Sequence, residues 1–191
     1  MHKLFFVFAI FFLIIACHSC SPSVKQPRWD FEREAVKIHV RADQQLNMYN
    51  GQAHTLYICI YQLTSENDLE QLARDTEGIY KLLECGLFDD SVRSAESRVI
   101  HAGERSTLIL DRAEDARHLA VVAGYSAGLT RDRVVRRHRF QSAKHLESYF
   151  KQHFRCTPCE LNIELSLGPR QIEYSSVLSN QSEPECIDEC E

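Results

Sequence analysis

Cysteines are the residues of this chain whose number and spacing most directly imply chemistry, and its 191 residues include eight of them. Four form two short pairs near the C-terminus, Cys156 with Cys159 and Cys186 with Cys190. In an oxidising compartment such pairs are expected to form disulfides, and four cysteines allow three pairings among which the sequence does not choose. Two bridges would attach the C-terminal tail to the last strand. The alternative is a zinc site, because four thiolates in two short pairs can surround the ion tetrahedrally.

Two further cysteines lie in the middle of the chain. Cys59 belongs to an apolar stretch and is predicted to behave as a small core residue. Cys85 is a candidate partner for either Cys59 or Cys20, and the sequence does not decide between them.

An enzymatic hypothesis is a cysteine hydrolase, with Cys85 or Cys156 as nucleophile and His101 or His118 as base. A cysteine that is bridged cannot attack a substrate, and the chain has no G-x-S-x-G, H-E-x-x-H or phosphate-loop motif. We therefore expect no enzymatic activity, no metal ion and no cofactor other than a covalent lipid.

That lipid is predicted from the N-terminus. His2 and Lys3 precede thirteen apolar residues, 4–16, a run too short for a typical transmembrane helix but typical of a signal peptide. The following Ile14-Ile15-Ala16-Cys17 fits a bacterial lipobox, in which the cysteine thiol accepts diacylglycerol and becomes the first residue of the mature chain. An ordinary signal peptide is the alternative. We predict a signal peptide over 1–16, lipidation at Cys17 and a tether over 17–32.

The elements that must position such groups centre on two predicted strands and the long connection between them. Val36, Ile38 and Val40 alternate with polar residues, as in a half-buried strand. The β-branched and aromatic stretch 55–63 predicts a second strand that is covered on both faces. The thirteen residues between them, 42–54, exceed the two to five that a tight hairpin needs. The excess indicates either a disordered insertion or a loop retained for contact.

The rest of the chain predicts a mainly β fold. Apolar residues recur at helical spacing over about 68–84 and again over 141–154, so both segments are predicted helices. Strand patterns cover 94–101, 105–110, 118–125, 133–140 and 160–167, with 171–174 as a partner of the last. About seven or eight short strands with brief helical insertions indicate a two-sheet β-sandwich. We assign it to 33–175 and the acidic, cysteine-containing end, 176–191, to a disordered tail.

Charge argues against a nucleic-acid ligand, since the formal net charge is −5 at pH 7. One basic run stands out, comprising Arg131, Arg133, Arg136, Arg137, His138 and Arg139. It has no interleaved aromatic residues, and a solvated face balanced by nearby acidic residues is the commoner outcome for such a run.

Several motifs in the first two thirds of the chain together resemble the TssJ lipoproteins of type VI secretion systems, also called the SciN/VasD family. They are Leu46-Asn47 followed by Gly51, the stretch 55–63 with its Ile60-Tyr61-Gln62-Leu63, Leu82-Leu83, the turn Ala102-Gly103-Glu104, and 119–125. After Tyr125 the chain departs from the family, whose members usually carry a tryptophan near the following strand where this chain has basic residues.

The resemblance implies a transthyretin-like β-sandwich tethered to the outer membrane and facing the periplasm. In the family, the loop after the first strand binds the periplasmic domain of the inner-membrane TssM protein, with Leu46, Met48 and Tyr49 as the corresponding apolar anchors here. The alternative is that Leu46 and Tyr49 fold back onto the edge of the sandwich. Asn47 and Gly51 are expected to form turns rather than contacts, because both tolerate positive φ. A different hypothesis is a periplasmic lipoprotein that binds a small ligand or metal through its cysteine-rich end. The implied partner-binding loop consists of Asp43, Gln44, Gln45, Leu46, Asn47, Met48, Tyr49, Asn50, Gly51, Gln52 and Ala53.

Overall fold

The computed structural model of the chain describes residues 24–25, 27–148, 153–178 and 186. The predicted signal peptide, the lipidation site Cys17 and Cys190 lie outside the described residues, as does most of the predicted tail.

Short strands make up most of the described chain. They are β1 (Val24–Lys25), β2 (Glu32–Ala42), β3 (Leu56–Leu63), β4 (Val92–Ile100), β5 (Arg105–Arg112), β6 (His118–Ala123), β7 (Val135–Arg139), β8 (Ser142–Ser148), β9 (His153–Pro158), β10 (Leu161–Leu167) and β11 (Ile172–Val177). The helices are α1 (Asn67–Leu72), α2 (Thr76–Leu83) and α3 (Arg131–Val134). None of these described helices has the length and apolar character needed to cross a bilayer.

Two four-stranded sheets form the sandwich. Sheet I has the order β11-β10-β2-β5, and sheet II has the order β4-β3-β6-β7. Neighbouring strands are antiparallel except for β2 and β10, which run parallel. The prediction of a mainly β, two-sheet sandwich with short helical insertions is confirmed.

The core follows from the alternation of apolar side chains. Val36, Ile38 and Val40 of β2 are buried, and so are the alternate residues Leu161 to Leu167 of β10. In β3, Gln62 reaches sheet I by accepting from Ala113 N–H and donating to the Asp111 carbonyl. The other face of β3 is covered by α2, to which Tyr61 donates a hydrogen bond at the Leu82 carbonyl. Strand β3 is therefore covered on both faces, as predicted.

One part of the prediction is wrong. Residues 141–154 were expected to be helical, but β8 and β9 form an antiparallel pair there. Within the predicted tether 17–32, β1 pairs in parallel with β9 through Val24 and Phe154. These three strands form a third sheet that the local sequence pattern did not indicate.

Strand β2 gives the sandwich two distinct ends. It begins at Glu32, where the N-terminal segment enters, and ends at Ala42, where the long loop leaves. We call these ends the tether pole and the loop pole. At about 3.3 Å per residue, the eleven residues of β2 separate the poles by roughly 35 Å.

A buried arginine holds the N-terminal segment at the tether pole. The side chain of Arg112 is only 2% exposed, lies 5.7 Å from the Trp29 ring centroid and pairs with Glu32 at 2.8 Å. Its Nη2 also donates to the Asp30 carbonyl at 3.2 Å, while Nε and Nη1 have no hydrogen-bond partner within the described part of the chain. Arg112 therefore holds Trp29 mainly by packing, because two of the three guanidinium nitrogens have no hydrogen-bond partner among the described residues.

Substitution of Arg112 separates packing from charge. Arg112→Ala should lower the free energy of unfolding by about 2 kcal/mol, because it opens a cavity beside Trp29. Arg112→Met should leave stability nearly unchanged or raise it, because an apolar side chain fills the space without an unsatisfied buried cation. Trp29 is the only tryptophan, so its fluorescence reports this site alone. We expect a red shift for alanine and none for methionine, whereas equal red shifts would show that the charge holds Trp29.

Candidate functional site

The loop between β2 and β3 is fastened to neighbouring turns by backbone hydrogen bonds. Asp43 N–H donates to the Leu167 carbonyl at 2.8 Å, and Met48 N–H donates to the Pro169 carbonyl at 2.7 Å. Gly103 N–H donates in turn to the Asp43 carbonyl at 3.0 Å. The loop is therefore an ordered part of the loop pole, supported on two sides by the ends of β10 and β4.

The Asn47 side chain ties the base of the loop together. It is 5% exposed, its Nδ2 donates to the Thr55 carbonyl at 2.8 Å, and its Oδ1 accepts from Ser126 N–H at 2.8 Å. Its backbone φ is +48°, a conformation that asparagine adopts more readily than most residues. The prediction that Asn47 shapes a turn is confirmed, and its amide also bridges the loop to the segment after β6.

The tip of the loop is a miniature hairpin. Tyr49 and Gln52 form an antiparallel bridge with reciprocal backbone hydrogen bonds of 3.0 Å. Asn50 and Gly51 between them have φ of +49° and +79°, as a type I′ turn requires at both central positions. Sequence reasoning predicted a turn at Gly51 but missed this hairpin, although Asn-Gly is its strongest local signal.

The hairpin presents Tyr49 to solvent. The Tyr49 side chain is 52% exposed, and its ring meets the His54 ring edge-on with centroids 6.2 Å apart. His54 Nδ1 lies 3.0 Å from the Gln52 carbonyl, so the supporting imidazole is itself fixed within the loop. His54 was not among the predicted site residues.

The remaining predicted loop residues divide by exposure. Leu46 is fully buried and belongs to the core, so the prediction that it is an apolar contact residue is wrong. Burying a leucine contributes about 2 kcal/mol, which favours folding it inward over presenting it to water. Met48 is half-buried. The exposed positions are Asp43, Gln44, Gln45, Tyr49, Asn50, Gly51, Gln52 and Ala53.

The turn after β4 packs beside the loop. Gly103 has φ of +74°, and a Cβ there would come within 2.6 Å of the Gln44 side chain. Burial raises the pKa of Glu104, but hydrogen bonds from His101 N–H and the Ser106 hydroxyl outweigh it and hold the pKa below its usual range. The carboxylate of Glu104 is therefore committed to its own turn.

The five cysteines that the structure describes are oxidised. Cys59 is bonded to Cys85 with a Cα–Cα distance of 5.4 Å, and Cys159 to Cys186 with a Cα–Cα distance of 6.3 Å. Cys156 is disulfide-bonded as well. Of the two partners considered for Cys85, the structure selects Cys59. It also joins Cys186 of the tail to Cys159, which lies between β9 and β10. Cys59 is a core residue as predicted, but a bridged one.

These bridges remove the thiols that two alternatives needed. Cys85 and Cys156, the nucleophiles of the cysteine-hydrolase hypothesis, carry no free thiol. The zinc hypothesis required thiolates at Cys159 and Cys186, whose sulfurs are bonded to each other. Within the part of the chain that the structure describes, no group of three or more metal-ligating side chains is placed to hold an ion.

The basic run is balanced by α1 and the residue before it. Arg131 pairs with Glu70 at 2.6 Å, and Arg137 pairs with Glu66 at 3.0 Å and also contacts Glu70. His118 Nδ1 lies 3.6 Å from Glu66, and burial lowers the pKa of His118 although this carboxylate raises it. Arg131 and Arg137 of the run are thus balanced by nearby carboxylates, as predicted, while Arg133 and Arg136 donate to backbone carbonyls.

Comparison with known proteins identifies relatives of this fold. A family model described as "Type VI secretion lipoprotein, VasD, EvfM, TssJ" matches residues 34–155. The chain is similar to the type VI lipoprotein TssJ1 from Pseudomonas aeruginosa, with a TM-score of 0.55 and 17% identity over 82% of this chain and 99% of the other.

Two further solved structures have the same fold. Lip of Serratia marcescens, a membrane-bound component of the type VI secretion system, gives a TM-score of 0.51 with 14% identity over 78% of this chain and 98% of that one. A chain of the structure described as the TssM C-terminal domain from EAEC gives a TM-score of 0.52 with 10% identity. The match covers 76% of this chain and 98% of that one. No curated protein matches the sequence.

The two hydrogen bonds of the Asn47 side-chain amide predict that substitution of this residue disorders the loop. Asn47→Ala should lower the free energy of unfolding by about 2–4 kcal/mol, because Ser126 N–H and the Thr55 carbonyl lose their partner while alanine is strained at positive φ. Amide hydrogen exchange should accelerate across the loop and at Ser126. Asn50→Ala is the matched control, since Asn50 has nearly the same φ but an exposed side chain. Equal effects of the two substitutions would mean that backbone strain alone is responsible.

Proposed function

Because the chain belongs to the type VI secretion lipoprotein family, we propose that it is an outer-membrane-anchored lipoprotein that docks the periplasmic domain of the inner-membrane TssM protein through the loop 43–53. The family is a structural lipoprotein component of type VI secretion and not an enzyme family. On this proposal the chain acts as a mechanical link, joined to the bilayer at one end and to a protein partner at the other.

The observation that carries the proposal is the placement of the tether and the loop at opposite poles. The N-terminal segment enters β2 at Glu32, and the loop leaves the same strand at Ala42. A bilayer attached through Cys17 would therefore lie on the side of the tether pole, and the loop would face away from it. This is the orientation that a periplasmic partner anchored in the opposite membrane requires.

The chemistry of the loop tip suits a protein partner. Tyr49 offers an exposed aromatic ring with a hydroxyl at its edge, and Met48 beside it is partly accessible. Tyrosine and methionine are enriched in protein interfaces, because each combines large contact area with an adaptable or amphipathic side chain. The backbone around them is already fixed, so binding need not order a flexible segment.

The names of related structures support the choice of partner. One of the solved structures that contain a chain of this fold is described as the TssM C-terminal domain from EAEC. Lip is described as membrane-bound. Both descriptions fit a lipoprotein that works within a membrane complex.

Binding to the partner tests the loop. The mature domain should capture the purified periplasmic domain of the TssM-like protein, and Tyr49→Ala should weaken the affinity by about thirtyfold, as expected for a central interface tyrosine worth roughly 2 kcal/mol. Met48→Asp should weaken it similarly, because it places a charge in the contact. Isothermal titration calorimetry gives both values.

A matched control keeps this test specific. Tyr80 is a comparably exposed tyrosine on α2, outside the loop 43–53, and Tyr80→Ala should bind like the wild type. If wild type, Tyr49→Ala and Met48→Asp bind equally, the loop is not the docking site. If the wild type does not bind at all, the choice of partner is wrong.

The anchor is tested independently in cells. Labelled fatty acid should be incorporated into the wild-type protein and lost in Cys17→Ser, which should also leave the membrane fraction. Cys20→Ser is the control, because it removes a neighbouring thiol outside the lipobox position and should remain labelled. If labelling persists in Cys17→Ser and disappears in Cys20→Ser, the lipidated residue is Cys20 and the prediction for Cys17 is wrong.

A further inference from the structure

The outer face of sheet I carries a groove next to the loop pole. It encloses about 540 Å³ and is open to solvent, and its lining includes His39, Arg41, Arg105, Thr107, Glu164 and Leu178. All but Leu178 come from β2, β5 and β10, so a well-paired sheet fixes their positions, and Leu178 directly follows β11.

Two arginines face one another at the loop end of this groove. Arg41 and Arg105 are direct partners in the antiparallel register of β2 and β5. Like charges at directly opposite positions of neighbouring strands are destabilising. The two arginines therefore repel each other at this position of the sheet, although the chain as a whole has a formal net charge of −5.

Only one of the two charges is balanced within the described residues. Arg41 pairs with Glu164 at 2.9 Å, and its side chain is still 65% exposed. Arg105 is exposed and forms no ion pair with any residue that the structure describes. The nearest carboxylate in sequence, Glu104, is engaged by His101 and Ser106.

The polar groups deeper in the groove are already satisfied. His39 Nδ1 lies 3.0 Å from the Thr107 hydroxyl, and its Nε2 lies 2.8 Å from Asn162 Oδ1. Among the described lining residues, Arg105 beside Arg41 is therefore the position best suited to an anionic group of a ligand.

We propose that the Arg41–Arg105 pair receives a carboxylate-bearing segment of the same protein partner that docks on the loop, so this inference rests on the proposed function. An arginine fork binds a carboxylate through two parallel N–H donors, and arginine is enriched in protein interfaces. The arginine pair is continuous with the loop. Arg41 lies two residues before Asp43, and Arg105 follows the turn whose Gly103 donates to the Asp43 carbonyl.

The described cysteine of the acidic tail lies toward the other end of the sheet. Cys186 is bonded to Cys159, which lies just before Leu161 at the tether-pole end of β10. Arg41 is the register partner of Ser166, at the opposite end of β10. The arginine pair is thus closer to the loop than to this disulfide, which favours the partner that docks on the loop as the occupant.

Charge reversal tests the pair. Arg105→Glu should weaken binding of the purified periplasmic domain of the TssM-like protein by about tenfold, and the double substitution Arg41→Glu with Arg105→Glu should weaken it further. The loss should fall mainly on the association rate, and wild-type affinity should decline with added salt more steeply than that of the double variant. Both side chains are exposed, so thermal unfolding should be nearly unchanged.

Arg33→Glu is the matched control, because Arg33 is an exposed arginine on the same strand at the tether pole. Arg33→Glu should bind the partner like the wild type. If it weakens binding as much as Arg105→Glu does, the effect comes from the overall charge of the chain and the specific contact at the arginine pair is overturned. Wild-type binding by Arg105→Glu alongside loss in Tyr49→Ala would overturn the arginine contact and leave the loop proposal standing. Absence of binding by the wild type would overturn both. Displacement of the partner by inorganic phosphate beyond the effect of matched ionic strength would mark a free-anion site and also overturn the contact.

Discussion

The pairing of β2 on both of its edges is the constraint on which the rest of the structure depends. One edge pairs with β10 from Val36 to Ala42, and the other pairs with β5 as far as Arg41. Every residue from Val36 to Arg41 has a register partner on both sides. A slip by one residue would move the buried alternate side chains to the solvent face, so the register is strongly specified. The tether pole, the loop pole and the arginine pair are therefore held at set distances by one rigid element.

Local periodicity was sufficient to predict the strands that have one buried face. The alternation of Val36, Ile38 and Val40, and that of the residues from Leu161 to Leu167, is decided by the sandwich core and is visible in any short window. The same method failed for 141–154, where apolar residues at helical spacing lie on two paired strands. The partner that stabilises them, β1, lies more than a hundred residues away in sequence, and no local pattern contains that information.

The loop illustrates which features of a site escape sequence reasoning. Its excess length and the turn-forming residues Asn47 and Gly51 could be read from the chain, because positive φ is a property of single residues. The inward position of Leu46 and the double hydrogen bond of the Asn47 amide could not be read, because both depend on Ser126 and the core around it. The arginine pair was missed for the same reason. Arg41 and Arg105 are 64 positions apart in the numbering and meet only through strand register.

Rigidity at the loop pole has a thermodynamic consequence for any partner. Ordering a flexible backbone costs roughly 1–2 kcal/mol per residue, so a disordered loop of this length would oppose binding by more than ordinary contacts return. Here folding of the sandwich has already met that cost, through Asn47, the Asn50-Gly51 hairpin and the hydrogen bonds to Leu167 and Pro169. Contacts made by exposed side chains such as Tyr49 then need not offset the cost of ordering the loop backbone. On the proposed function, a small contact surface on a fixed loop would be sufficient for a link between two membranes, because the N-terminal segment and the loop join the same strand at opposite ends.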